Sequence, residues 1–128
     1  MLETGVDIVE IERIAALAER FGERFRRRVF SLQEWADCAG RPASIAARFA
    51  AKEAVIKALG CREIALHEIE VVRRPDGRPR IGLHGRAAQR ARELGVEDLA
   101  VSLSHSRDYA VASVVLRRST RDAVAYYE

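Results

Sequence analysis

The chain has 128 residues, 48% hydrophobic and 32% charged, with a formal net charge of +3. That balance excludes intrinsic disorder, and the length suits one domain over 1–128 that buries roughly two-thirds of its unfolded surface. No stretch approaches the roughly 18 apolar residues of a membrane span, the start lacks a signal-peptide pattern, and Cys38 and Cys61 stand apart without metal-ligand spacing, so we expect a soluble cytoplasmic protein with no disulfide or zinc.

Thr4 to Ile11 reads as a strand, with Gly5, Asp7, Val9 and Ile11 on one side and Val6 and Ile8 on the other. A helix follows from Glu12, with Ile14, Leu17 and Phe21 at helical spacing. Gly22 interrupts it, and Phe25 and Val29 carry a further helical stretch. Ser31 and Glu34 fit a capping box for a short helix from Leu32 to Ala39, closed by Gly40. Pro42 suits the first turn of the next helix, alanine-rich from Ala43 to Leu59 and stopped by Gly60.

Ile69–Arg74 and Arg80–Leu83 flank the turn Pro75-Asp-Gly-Arg-Pro79 and predict a hairpin. Gly85 to Leu94 reads as a helix closed by Gly95. Leu99–Ser104 and Tyr109–Leu116 are apolar strand-like runs. Residues 117–128 are set apart as a loosely ordered tail. Helices and hairpins without strict strand–helix alternation predict an α+β fold with an antiparallel sheet.

Several polar residues stand where apolar ones are expected. Asp7 lies inside the strand Gly-Val-Asp-Ile-Val, and an ionised carboxylate there needs a metal, a hydrogen bond or a cationic partner. In the long helix, Ile45, Phe49, Ile56 and Leu59 form an apolar stripe; Lys52 falls inside it, Glu53 at its edge and Lys57 one turn further on. A plain Glu53–Lys57 surface pair, worth about 0.3–0.5 kcal/mol, is one reading. The other joins Asp7 and Glu53 around one Mg²⁺, which favours oxygen ligands, with Arg48, Lys52 and Lys57 meeting phosphate charge.

Ser104, His105 and Asp108 do not make a hydrolase triad, because adjacent strand residues point to opposite faces. Arg20, Arg24, Arg26, Arg27 and Arg28 oppose only Glu23 and would attract phosphate or an acidic protein surface. Phe21, Phe25 and Phe30 there have core spacing rather than that of a base-stacking platform, so we expect no nucleic acid.

The stretches Gly5-Val-Asp-Ile-Val-Glu-Ile-Glu-Arg13-Ile, Arg48-Phe-Ala-Ala-Lys-Glu-Ala-Val-Ile-Lys-Ala-Leu-Gly60, Ile69-Glu-Val-Val through Gly77-Arg-Pro-Arg-Ile, and Ser102-Leu-Ser-His-Ser-Arg-Asp-Tyr-Ala110 resemble, in order, the holo-acyl-carrier-protein synthase family. This is the small class of 4'-phosphopantetheinyl transferases. The resemblance implies that family's fold, an antiparallel sheet packed against a long central helix. It implies transfer of 4'-phosphopantetheine from coenzyme A to a serine of an apo acyl carrier protein, Mg²⁺-dependent, with release of 3',5'-ADP.

By the same resemblance Asp7 and Glu53 are the metal ligands, and they and Lys57 are catalytic. Arg48, Lys52, Lys57 and His105 line the coenzyme A phosphates, and Gly77, Arg78 and Pro79 lie near the adenine. Arg13, Arg20, Arg24 and Arg28 dock the carrier protein, and the assembly is a homotrimer. Glu53 and a metal-bound water are the candidates for the base that takes the serine proton. One segment departs from the family pattern: Gly60 is followed by Cys61-Arg-Glu-Ile-Ala-Leu-His-Glu68, without the usual glycine-rich loop or aromatic. That departure motivates a competing reading, a binding module that has lost turnover.

Overall fold

The computed structural model describes residues 1–119. Its elements are β1 (Leu2–Glu10), α1 (Ile11–Phe21), α2 (Glu23–Val29), α3 (Leu32–Cys38), α4 (Pro42–Leu59), a 3-10 turn (Leu66–Glu68), β2 (Ile69–Arg73), β3 (Pro79–Leu83), α5 (Gly85–Leu94), β4 (Val96–His105) and β5 (Tyr109–Arg118). The strands make two antiparallel sheets, a three-stranded one in the order β1-β5-β4 and the hairpin β2-β3. Helix and antiparallel sheet together give the α+β class.

The helix signals act as their chemistry dictates. Ser31 Oγ accepts from the Glu34 amide at 3.1 Å while Glu34 Oε1 accepts from the Ser31 amide at 3.0 Å, so the capping box forms. Pro42 opens α4, and Gly60 ends it in the left-handed region at φ 64°. The apolar stripe expected on α4 is wider than its large residues suggest. Phe49 and Ile56 are only half-buried, whereas Ala46, Ala50, Ala51 and Ala54 have no exposure. The helix packs against β1 and β5, and small side chains let sheet and helix approach.

Gly5 makes that approach possible. A Cβ there would lie 2.0 Å from the Ala54 carbonyl oxygen. In register, Gly5, Asp7 and Val9 face Val114, Ala112 and Ala110. The inward side of β1 therefore carries Asp7 onto α4. The outward side leaves Leu2, Val6 and Ile8 exposed, together with Tyr109 and Val115 of β5.

The polar end of β5 is a correction to the sequence reading, since Arg117 and Arg118 belong to the strand rather than to a tail. Arg118 is buried, with Nη2 2.8 Å from Glu3 Oε2, and Arg117 pairs with Asp98. Strand pairing and these ion pairs outweigh the local polarity. The rest of the expected tail, 120–128, lies outside the described residues. No helix among the described residues is long and apolar enough to cross a membrane.

Candidate active site

Helix α4 and strand β1 build the first cluster. Lys57, with its side chain 55% exposed, donates from Nζ to Asp7 Oδ1 at 3.1 Å and to the Val6 carbonyl at 2.9 Å. Lys57 thus turns to Asp7. Burial, and next the charge of Asp7, push the Glu53 carboxyl above its ordinary range, while Lys57 and Arg13 pull it down less strongly. Two carboxylates that repel each other beside one ammonium form a pair that a cation would stabilise.

No group of three or more His, Cys, Asp or Glu side chains converges among the described residues. Mg²⁺ takes one or two carboxylates and fills its shell with water and substrate phosphate. The oxygen-only donor set of Asp7 and Glu53 fits such an ion. Beside them opens a cleft of about 610 Å³ lined by Glu53, Ile56, Lys57, Cys61, Arg62 and Leu66.

A second cleft, also about 610 Å³, holds Arg48, Gly77, Arg78, Pro79 and His105. Arg73, Arg74 and Arg80 add positive charge from the same hairpin. These three escape sequence reasoning, although their clustering around the Pro75–Pro79 turn is a visible signal. Arg48 is buried, and its Nε has no hydrogen-bond partner. A desolvated guanidinium with a free donor favours an anion. The two clefts share no lining residue.

Lys52 goes elsewhere, which corrects its expected place among the phosphate ligands. It has no exposure, and its Nζ pairs with Glu34 Oε1 at 2.8 Å and donates to the carbonyls of Leu66 and Ile69. An ammonium has three donors, and the fold consumes all of them. The Phe30 ring lies 5.3 Å from the same nitrogen. Glu34 is the partner missing from the sequence reading, where its role ended at the capping box.

The basic segment divides by partner. Glu23 takes Arg26 at 2.6 Å and Arg27 at 3.5 Å, and the Arg20 guanidinium lies 5.1 Å from the Phe21 ring centre. Arg24 and Arg28 make no ion pair among the described residues and border an apolar notch of about 210 Å³ with Leu17, Phe21, Phe25 and Phe49. Arg13 is exposed and near enough to Glu53 to influence its charge.

An ammonium beside two carboxylates, and a cleft that joins Arg48 of the same helix to the arginines of the β2–β3 hairpin, suit a substrate that carries phosphate. Comparison with known proteins makes the class specific. Residues 3–114 match the 4'-phosphopantetheinyl transferase superfamily. The holo-[acyl-carrier-protein] synthase of Dehalococcoides mccartyi is 51% identical over 90% of this chain and 98% of its own length. That of Herpetosiphon aurantiacus is 49% identical over 90% and 98%. The structure of the Helicobacter pylori holo-[acyl-carrier-protein] synthase in complex with coenzyme A is 33% identical, with a TM-score of 0.81 over 89% of this chain and 99% of that one.

The chain therefore belongs to the 4'-phosphopantetheinyl transferase superfamily, and it is an enzyme of that family. That assignment favours turnover over the competing reading of a binding module.

Proposed function

We propose that this enzyme moves the 4'-phosphopantetheine arm of coenzyme A onto a serine of an apo acyl carrier protein, in a Mg²⁺-dependent reaction that releases 3',5'-ADP. The observation that carries this reading is the Asp7–Glu53–Lys57 cluster, set by Gly5 where β1 presses on α4. Asp7 and Glu53 would hold the metal. Bound there, Mg²⁺ would neutralise charge on the pyrophosphate.

Lys57 keeps one Nζ donor beyond those given to Asp7 and Val6, and that donor meets the charge growing on the leaving phosphate. Glu53 or a water beside it would take the proton from the attacking serine hydroxyl. Arg48, Arg78 and His105, with Gly77 and Pro79, bind the nucleotide end of coenzyme A in the second cleft.

Arg13, Arg20, Arg24 and Arg28 dock an acidic face of the carrier, whose apolar side chains would enter the notch between Arg24 and Arg28. A homotrimer is supported by the outward face of the three-stranded sheet, where Leu2, Val6 and Ile8 are 65%, 58% and 63% exposed. Subunit packing there would let clefts of neighbouring chains meet one coenzyme A. We place the enzyme in the cytoplasm, serving fatty acid biosynthesis.

Incubation with coenzyme A, Mg²⁺ and an apo carrier protein should yield the holo carrier and equimolar 3',5'-ADP. Failure to modify any of a panel of fatty acid, polyketide and peptide carriers would refute the reading. Sedimentation should give three chains per particle.

A further inference from the structure

Two helices face each other across the buried edge of the second cleft. On α3, Glu34 and Cys38 stand four residues apart; on α4, Lys52 and Arg48 stand four apart in the opposite sense. Residues so spaced lie one turn apart on one helix face. The helices therefore meet in two rungs, Glu34–Lys52 at 2.8 Å and Cys38–Arg48 at 3.3 Å between Sγ and Nη1. All four side chains are buried.

The charges in this ladder do not cancel. Glu34 is matched by Lys52, and its second oxygen accepts the Val71 amide at 2.9 Å. Burial raises the Cys38 thiol above its ordinary range, so it stays neutral. Arg48 is left charged, desolvated and with Nε unpartnered, at the wall of the cleft. A buried guanidinium ordinarily finds a carboxylate, and Glu34, one turn along the facing helix, is available unless Lys52 occupies it.

We infer that Lys52 and Cys38 are positioning residues that keep Arg48 free for its anion: Lys52 by occupying Glu34, and Cys38 by offering Arg48 a neutral contact where an acid would capture it. The inference rests on the assignment of Arg48 to a phosphate of coenzyme A. It explains why a lysine with no remaining donor sits in the core beside the site. Its ammonium governs which cation the buried carboxylate holds.

The test is coenzyme A binding, by calorimetry on the full chain without carrier protein, together with the transfer KM for coenzyme A. Arg48→Ala is the reference and should weaken binding roughly tenfold or more. Lys52→Met should raise the coenzyme A KM about tenfold, the size of one charge-assisted hydrogen bond, with kcat and the carrier KM within about twofold. Glu34→Gln in the Lys52→Met background removes the competing carboxylate and should bring affinity back to within about threefold of the parent.

Cys38→Asp should weaken binding as Lys52→Met does, and it decides the matter alone if Lys52→Met fails to fold. Normal binding by Cys38→Asp would overturn the inference, and so would a double variant as weak as a folded Lys52→Met. Normal binding by Arg48→Ala would instead sink the assignment of Arg48 itself.

Discussion

Lys52 and Lys57 lie on one helix and have opposite fates. Lys52 has no exposure and spends its three donors on Glu34, Leu66 and Ile69. Lys57 has a side chain 55% exposed and spends two donors, on Asp7 and Val6. A five-residue offset turns a side chain by about 140° around the axis, here from the core to the cleft. A charged side chain works on substrate only with donors the fold has not consumed, and counting them separates Lys57 from its neighbour.

The sharpest way to break this contrast is to remove the carboxylates beside Lys57. Asp7→Ala and Glu53→Ala should each lower transfer by roughly 10³-fold, about 4 kcal/mol, with circular dichroism unchanged. Normal kcat in either variant would take that residue out of the site. Lys52→Met should cost stability, about 3 kcal/mol at most in urea unfolding, because Glu34 loses its ammonium and is left to Arg48, alongside the rise in coenzyme A KM. Lys57→Met should do the reverse, with kcat down roughly 10²-fold and stability changed by less than about 1 kcal/mol.

Charge reversal probes the docking face, where Arg24 and Arg28 border the apolar notch. Arg24→Glu or Arg28→Glu should raise the carrier KM about tenfold and flatten its salt dependence, with kcat and the coenzyme A KM unchanged.

The smallest effect concerns protons. The Glu53 carboxyl is held above its ordinary range, so between the unfolded and folded values the native chain binds more protons than the unfolded one. Without metal, stability therefore falls as pH rises through that window. Glu53→Gln should be the more stable form at neutral pH without Mg²⁺, and the gap should close as pH drops below the ordinary carboxylate range. Thermal unfolding across pH, with EDTA, checks the sign.

The sequence disclosed much of this because its signals are local. Ser31 and Glu34 cap α3, Pro42 and Gly60 bracket α4, and Asp7 is visible as a carboxylate in an apolar strand. Lys52 was visible as an anomaly, but its partner was not. Glu34 is eighteen residues away, and one of its oxygens serves the cap and the ion pair together. The closeness of β1 and α4 depends on Gly5 meeting the Ala54 carbonyl, which no periodicity encodes. Arg117 and Arg118 read as tail because their stability comes from Asp98 and Glu3, at the far ends of other strands.

The most direct test of the Asp7–Glu53–Lys57 cluster as a metal-dependent transfer site is mass spectrometry of an apo carrier protein after incubation with coenzyme A. With Mg²⁺ the wild-type enzyme should add one phosphopantetheine arm per carrier. With EDTA, or with Glu53→Ala, the carrier mass should stay unchanged. Full conversion by Glu53→Ala, or by the wild type in EDTA, would contradict the account.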